Sequence, residues 1–345
     1  MTDVTVLGII KFAYFIESLG LLLEENTMDQ EFTFAQFGGL LKLMVEVSKA
    51  TKLSYVHIVP AELVGHDLWE KTISGDSNEF NARLGVAASS IVSRELQTRF
   101  ALKSAENAMK AAPQNKSFRI GVAGGQTAYF VVDGMSVLEA GSFEVEIAPL
   151  VIGSVPRHRY SAGTVAEMMG SKIRYQAPKA KRFASVVKME QWLPAKSEDY
   201  WKAKLEDGII RERDGANGRI KEKGFFDLNY VLVGVGQHNK VNKTTNLCAH
   251  LEALYPSGHP DELTGDICSR LFDGNGKEID REKQDKFVAI SFEVLELLAA
   301  KKIPVIAVAG GLSKVDAIKT ITLKRPGKLI NGLITDELTA MQLFK

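Results

Sequence analysis

The stretch VIAVAGGLSKVDAI, residues 305–318, decides the fold class of this chain. Its first four residues are apolar and mostly β-branched, which is typical of a strand buried on both faces of a parallel sheet. Two glycines follow, and they let the backbone turn sharply and let a ligand approach closely. Ser313 is a favourable N-cap and Asp316 suits the first turn of a helix. The stretch therefore predicts a strand–turn–helix unit.

A unit of this kind is suited to an anion. The free N–H groups at the start of a helix favour negative charge, and Lys314 is placed to supply a counter-charge. An ordinary strand-to-helix turn with a solvated lysine has the same local pattern. The stretch alone leaves both interpretations open.

Strand-like runs recur along the chain, and several of them precede helical patterns. Because strands that alternate with helices form parallel sheets, we predict an α/β fold with a Rossmann-like, doubly wound, mostly parallel sheet. Ligands bind such sheets beyond the carboxyl ends of the strands. The predicted strands span residues 55–59, 118–122, 145–152, 230–235, 286–290, 305–308 and 329–335.

Four of the predicted strands end on glycine, either alone or with small polar residues. Such loops at one edge of a sheet bring backbone amides together, and one binding crevice explains four of them better than four independent tight turns. The sequence therefore predicts a phosphate or polyol site at this edge. The loop residues that we select as candidate ligand contacts are Gly124, Gly125, Gln126, Thr127, Gly153, Gly236, Gln237, Gly310, Gly311 and Lys314.

Charge and cysteine content exclude several classes of protein. The net charge of +1 gives no overall attraction to nucleic acid or to a membrane. Two cysteines, Cys248 and Cys268, make neither a disulfide framework nor a zinc site, and the six histidines show no metal-binding spacing. We expect a cytoplasmic protein without a metal or another cofactor.

Residues 4–23 form a long apolar segment that could be mistaken for a membrane span. Lys11 and Glu17 interrupt it, which disfavours a span. Its apolar positions recur at helical spacing, so we predict a buried amphipathic helix and no membrane association. Those positions are Ile9, Phe12, Ile16 and Leu19.

Four motifs near the C-terminus resemble a known family. They are GDICSRLFD at 265–273, DGNGKEID at 273–280, VIAVAGGLSK at 305–314 and LINGLITDE at 329–337. With these motifs in this order, residues 53–344 resemble the effector-binding domain of SorC/DeoR-type bacterial sugar-sensing transcriptional regulators. That domain is similar in fold to ribose-phosphate isomerases and glucosamine-phosphate deaminases.

The resemblance implies a ligand, an assembly and a set of roles. The ligand would be a phosphorylated sugar or a similar small anion, and the protein a homo-oligomer that controls transcription. Asp266 would accept hydrogen bonds from sugar hydroxyls, although a helix cap is an alternative role for it. Phosphate would lie against the loop at 124–127 and against Gly310, Gly311 and Lys314.

Two side chains in the motifs and one basic run have simpler structural interpretations. We expect Cys268 to be a small buried residue on a helix after Asp266. Arg270 either contacts ligand or pairs with Asp273 or Asp280. A basic run at 157–182 is either a solvated face or a contact for an unusually anionic ligand.

The N-terminal region departs from the family. A helix-turn-helix would occupy residues 1–50, but the helix that should read DNA, at 40–49, is mostly apolar. Residues 1–60 hold four Lys or Arg and seven Asp or Glu, the wrong sign for phosphate contact. We predict a small helical segment at 1–50, either a degenerate helix-turn-helix or an oligomerisation element that packs on another subunit. Residues 51–345 would form the effector-binding domain.

Three functions are compatible with these observations. The first is a sugar-phosphate-responsive transcriptional regulator, and the second is a stand-alone ligand sensor that binds no DNA. The third, an enzyme of the isomerase or deaminase type, requires a base beside the substrate carbonyl. The acids expected near the crevice, Asp133, Asp266 and Asp336, have no evident histidine partner, so we predict no catalytic residue.

Overall fold

The computed structural model describes residues 34–74, 77–109, 117–141, 143–151, 159–175, 185–186, 211–213, 220–222, 228–238, 255, 260–284 and 289–345. The predictions for residues 1–33, for Gly153 and for both ends of the basic run lie outside these residues.

Fourteen strands are present in the described residues. Seven of them belong to the central sheet, and the others form three small sheets. The strands are β1 (Tyr55–Val59), β2 (Phe118–Val122), β3 (Leu138–Ala140), β4 (Val145–Pro149), β5 (Ile173–Tyr175), β6 (Ser185–Val186), β7 (Arg211–Arg213), β8 (Ile220–Glu222), β9 (Tyr230–Val233), β10 (Val235–Gln237), β11 (Leu263–Ile267), β12 (Arg270–Asp273), β13 (Val305–Val308) and β14 (Gly332–Asp336).

Helices accompany most of these strands. In the parts of the chain that the structure describes, no helix is long and apolar enough to cross a membrane. The described helices are α1 (Phe34–Thr51), α2 (Ala61–Val64), α3 (His66–Lys71), α4 (Asn78–Met109), α5 (Gln126–Asp133), α6 (Ala162–Ser171), α7 (Arg281–Gln284), α8 (Phe292–Ala300), α9 (Val315–Lys319) and α10 (Glu337–Gln342), with 3₁₀ turns at Thr72–Ser74 and Leu312–Lys314 and a π turn at Thr320–Lys324.

The central sheet has the order β1-β14-β13-β9-β2-β4-β6, and every neighbouring pair is parallel. All four residues of β9 and all four of β13 are buried, because helices cover both faces of the sheet. Helices α4 and α5 pack on one face, and α1, α8, α9 and α10 pack on the other. The predicted Rossmann-like parallel sheet is confirmed.

The strand order creates a crevice between β2 and β9. From β2 the chain moves outward to β4 and β6, and it then returns to β9 on the other side of β2. Connections that leave in opposite directions open a gap beyond the carboxyl ends of the two strands, where ligands bind in sheets of this type. The candidate site lies at this gap.

A small antiparallel sheet, β10-β11-β12, follows β9, and the sequence did not predict it. Gly234 interrupts the predicted strand at 230–235, which continues as β10. The helix predicted after Asp266 is wrong, because β11 and β12 form a hairpin there. Its turn residues, Cys268 and Ser269, have φ values of 51° and 62°, and positive φ at both positions is typical of a type I′ turn.

Helix α1 packs on the chain's own sheet. Leu40 and Val47 are buried in the same core cluster as Leu333 of β14 and Ala340 of α10. The expectation that this stretch packs on another subunit is therefore wrong for these two side chains. The division of the chain at residue 50 stays a prediction.

Asn331 joins the starts of β13 and β14. Its Oδ1 accepts a hydrogen bond from the amide of Val305 at 2.8 Å, and its Nδ2 donates to the carbonyl of Ile303 at 2.7 Å. Its own amide donates to the carbonyl of Val305 at 3.1 Å. The side chain is buried, so it supplies partners that water cannot supply there.

We predict that Asn331→Ala lowers the free energy of unfolding by about 2 kcal/mol, because it removes the partners of the buried amide of Val305 and of the partly buried carbonyl of Ile303. Asn275→Ala is the control, since Asn275 is exposed and its described hydrogen bond uses the backbone amide. Urea unfolding of both variants measures the difference. Equal stability of the two variants would contradict the role given to Asn331.

Candidate functional site

Two glycine loops reach the crevice at the carboxyl edge of the sheet. Gly124 and Gly125 follow β2, and Gly310 and Gly311 follow β13. Gly125 has a φ of 108° and Gly311 a φ of 94°, a conformation that L side chains rarely adopt. In each loop the second glycine therefore makes the turn from strand to helix possible.

Asp336 holds the Gly310–Gly311 loop in place. Its Oδ2 accepts a hydrogen bond from the amide of Gly311 at 3.0 Å, and its Oδ1 accepts one from the amide of Thr339 at 2.8 Å. The hydroxyl of Thr339 also accepts from Gly311, at 2.9 Å, and from the indole Nε1 of Trp69, at 2.9 Å. Asp336 thus caps α10 and also anchors the loop.

The amides of this loop are mostly used within the chain. The amide of Ser313 donates to the hydroxyl of Thr72 at 3.2 Å, and the amide of Lys314 donates to the carbonyl of Gly311 at 3.0 Å. With Gly311 bonded to Asp336, the charge that the loop offers to a ligand is mainly the ammonium group of Lys314.

Asn81 connects the two sides of the crevice, and the sequence did not single it out. Its Oδ1 lies 3.5 Å from Nζ of Lys314 and accepts a hydrogen bond from the hydroxyl of Thr127 at 3.1 Å. Its Nδ2 donates to Oε1 of Gln126 at 2.9 Å. An asparagine on the buried side of a helix, next to Phe80 and one turn before Gly85, is the signal that could have identified it.

Asp266 enters the crevice from the antiparallel sheet. It lies on β11 opposite Gly236 of β10, and its carboxylate occupies the space that a side chain at Gly236 would need. Its Oδ2 accepts a hydrogen bond from the amide of Ser269 at 3.0 Å. Asp266 is therefore part of a strand, and the alternative role as a helix cap is wrong.

Burial works against both charges in the crevice. It raises the pKa of Asp266 to about 6, although the amide of Ser269 and the charge of Lys314 pull the other way. It lowers the pKa of Lys314 to about 8, although Asp266 and Asp336 oppose the shift. Burial also raises the pKa of Asp336. Charged groups kept partly buried at a cost to stability are typical of functional sites.

The other predicted contacts border this arrangement. Gln126 and Thr127 open helix α5, and Gln126 is held by Asn78 as well as by Asn81. Gln237 lies on β10, and its Oε1 is buried with no hydrogen-bond partner among the described residues. The structure therefore brings together every predicted contact except Gly153, which lies outside the described residues.

Part of the basic run reaches the rim of the crevice. The guanidinium of Arg159 lies 4.5 Å from the ring centre of Tyr160 and 5.5 Å from that of Tyr129. The carbonyl of Tyr160 accepts a hydrogen bond from the amide of Gly125 at 2.7 Å. Arg159 is exposed, so this part of the run faces solvent beside the glycine loop.

Arg270 and Asp133 lie outside the candidate site. Arg270 forms an ion pair with Glu278, with 2.9 Å between Nη1 and Oε1, a partner that the sequence did not predict. Asp133 ends helix α5 and is exposed. Within the described ranges, no group of three or more His, Cys, Asp or Glu side chains is arranged to hold a metal ion.

A family model covers the C-terminal part of the site. Residues 221–345 match the model Sugar-bind, whose description is "Putative sugar-binding domain". This range includes Asp266, Lys314 and Asp336. A search of curated proteins gave no match.

Solved structures extend the similarity to most of the chain. A transcriptional regulator from Streptococcus pneumoniae TIGR4 is 22% identical, with 89% of this chain and 97% of that chain covered and a TM-score of 0.59. The full-length sorbitol operon regulator SorC from Klebsiella pneumoniae is 17% identical, with 93% and 86% covered and a TM-score of 0.55. A DeoR family transcriptional regulator from Listeria monocytogenes is 17% identical, with 88% of this chain and 99% of that chain covered and a TM-score of 0.53. The chain shares its fold with these regulators.

We predict that Asp266→Asn stabilises the protein at pH 7 and that the gain disappears as the pH falls from 6 to 4. The folded protein raises the pKa of Asp266 to about 6, above the value of about 3.9 in an unfolded chain. Between these values the native state binds the additional proton, so ionisation of Asp266 lowers the stability as the pH rises. The attraction of Lys314 is already included in this shift.

Thermal melting of the wild type and of Asp266→Asn across this pH range measures the effect. Asp133→Asn removes an exposed carboxylate and is the control, so its melting temperature should follow that of the wild type. A difference between Asp266→Asn and the wild type that does not change with pH would disprove the assignment.

Proposed function

We propose that the protein binds a phosphorylated sugar in this crevice and acts as a sugar-responsive transcriptional regulator in the cytoplasm. The observation that carries the proposal is the pair of partly buried opposite charges, Asp266 and Lys314, at the switch point of the sheet. The Sugar-bind match over residues 221–345 and the names of the structural relatives support it.

The chemistry of the pair fits the two ends of such a ligand. A carboxylate is the acceptor that sugar hydroxyls need, and an ammonium group is the counter-charge that a phosphate needs. Asn81 lies beside Lys314, and an amide side chain can accept from a hydroxyl or donate to an oxygen. Gln237 offers a buried carbonyl oxygen that has no described partner.

An isomerase or deaminase is the second candidate, and one observation favours it. A carboxyl group with a pKa of about 6 is suited to proton transfer near neutral pH. The regulators that share the fold support the non-enzymatic interpretation instead. Consumption of a bound sugar phosphate, followed by product analysis, separates the two.

Oligomeric assembly and DNA contact are the further parts of the proposal. The exposed charged residues of helix α1 are Lys42, Glu46 and Lys49. Their charges are mixed, so they form no basic surface for phosphates. A sensor that acts through a protein partner is therefore the alternative to a DNA-binding regulator. An oligomer of this protein would be formed by surfaces other than the side of α1 that packs on the sheet.

We predict that a phosphorylated sugar raises the melting temperature of the wild type and that Lys314→Met and Asp266→Asn reduce this shift. Binding to the native state alone stabilises it, by about 2.7 kcal/mol when the ligand is present at a hundred times its Kd. A thermal-shift panel of sugar monophosphates, each with its unphosphorylated parent sugar, measures the effect. The shift that the parent sugar causes should not depend on Lys314, because that sugar carries no phosphate, but it should still depend on Asp266.

Lys324→Met and Asp133→Asn are matched controls, because both side chains are exposed and lie outside the crevice. They should leave the ligand-induced shift unchanged. A panel without a stabilising compound, or shifts that are equal in all four variants, would refute the site.

We predict that the full chain binds the DNA upstream of its own gene weakly or not at all at about 0.15 M salt, since counterion release from phosphate contacts supplies much of DNA affinity. A gel-shift series across salt concentrations, with and without the stabilising sugar phosphate, tests this. Tight, sequence-specific and strongly salt-dependent binding would contradict the prediction and establish a DNA-binding regulator.

A further inference from the structure

The C-terminal end of helix α4 carries an exposed apolar stripe. Phe100 is the last buried residue of this helix, and none of residues 101–109 is buried. Leu102 and Met109 keep 65% and 85% of their surfaces exposed, more than any other large hydrophobic side chain in the part of the chain that the structure describes. With Ala105, which is also exposed, they recur at steps of three and four residues and therefore lie on one side of the helix.

This stripe points away from the body of the protein. On the inner side of the helix, Phe100 is buried and packs edge-on to the rings of Phe118 and Phe143. Ser104 lies against Gly141 on the same side. At about 100° per residue, the three residues of the stripe lie on the opposite side of the helix. Adjacent exposed apolar side chains of this kind mark a contact site.

The stripe is complementary to a second copy of itself. Ala105 lies near its middle, between Leu102 and Met109. If two copies of α4 meet antiparallel about a twofold axis at Ala105, Leu102 of one helix comes within about 1.5 Å of Met109 of the other, measured along the helix. The two copies of Ala105 then face each other, and their small side chains let the helices approach closely.

The charges beside the stripe agree with this arrangement. Lys103 and Glu106 lie on one flank of the stripe, with 3.4 Å between Nζ and Oε2. The twofold axis brings this flank of one helix beside the same flank of the other. Lys103 then comes within about 1.5 Å of the other copy's Glu106, measured along the helix. Opposite charges thus meet at two symmetric places, as they do in paired helices whose flanking charges set the orientation.

The other flank leaves room for the approach of a second helix. Its exposed residues are Ala101 and Ala108, which carry only a methyl group each. An antiparallel neighbour therefore meets an apolar stripe with charges on one side and small side chains on the other.

We propose that the end of α4 is a contact between two copies of this chain, formed antiparallel about a twofold axis at Ala105. Two turns of helix cover less than the roughly 1,200 Å² at which stable interfaces begin, so the contact is one part of a larger interface. It gives a surface to the oligomer proposed above and does not depend on the ligand.

The contact would lie on the same helix as part of the crevice. Asn81, which accepts a hydrogen bond from Lys314, belongs to the first turn of α4, about 36 Å along the helix from Ala105. One continuous helix would therefore connect the candidate ligand site to the second copy.

A disulfide between engineered cysteines in the full chain tests the contact. Helices that approach closely at Ala105 bring its two Cα atoms towards the range of about 4.4–6.8 Å that a disulfide needs, so Ala105→Cys should run mostly as a dimer on a non-reducing gel. Ala101→Cys is the matched control, since Ala101 is also exposed but its two copies would lie about 12 Å apart along the helix. Both variants carry Cys248→Ser, and Cys268 stays because it is buried.

A disulfide-linked dimer of Ala105→Cys, with little or none of Ala101→Cys, supports the proposal. Equal dimer formation in the two variants, or more in Ala101→Cys, overturns it, because random collision or another packing would then explain the disulfide. Failure of both variants to form a dimer also overturns it.

A second measurement does not depend on cysteines. Leu102→Glu places a carboxylate in the apolar contact, so the full-length oligomer should dissociate at about tenfold higher concentration than that of the wild type in sedimentation velocity. Val86→Glu is the control, because Val86 is exposed on the same helix but lies outside the stripe. Both measurements are made without a sugar phosphate, so their outcome does not depend on the ligand site.

Two results of this sedimentation series would refute the contact. One is a wild-type chain that sediments as a monomer. The other is a Leu102→Glu oligomer that is as stable as that of Val86→Glu.

Discussion

The carboxylate of Asp336 accepts hydrogen bonds from the amides of Gly311 and Thr339, and it thereby joins the turn after β13 to the start of α10. The hydroxyl of Thr339 accepts a hydrogen bond from the indole of Trp69, which ties helix α3 to the same point. Asp336 lies at the end of β14, the strand between β1 and β13. Its burial is complete, so these partners replace water. Lys314 extends into the crevice from the turn that Asp336 anchors. The position of the proposed phosphate contact therefore depends on a residue that need not touch the ligand.

The crevice itself is arranged at a cost to stability. Burial disfavours the ionised forms of both Asp266 and Lys314, and the attraction between them offsets this only in part. A ligand that brings hydroxyl donors to Asp266 and negative charge to Lys314 would satisfy both groups. With the site empty, the folded protein is thus less stable than it would be with neutral residues at these positions. Binding of such a ligand would therefore stabilise the folded state strongly.

Much of the sheet could be predicted from the sequence because strands such as β9 and β13 are continuous apolar runs with glycine shortly after their ends. The antiparallel hairpin at β11 and β12 could not, because Cys268 and Ser269 are unusual at positions with positive φ and local sequence did not mark a turn there. Asn81 was missed for a different reason. It lies 45 residues before Gln126 and 233 before Lys314, so only tertiary structure shows that it joins them.

The pairing of β1 with β14 places an early strand of the chain beside the last one. All five residues of β1 are paired with β14, which also separates β1 from β13. On the ribosome, β1 therefore has no partner strand until residues 332–336 have been synthesised and have left the exit tunnel. Until then the edge of β1 is unpaired, and Leu40 and Val47 lack the residues of β14 and α10 that bury them. Synthesis of this protein thus includes a long interval in which the backbone groups at that edge have no partner within the chain.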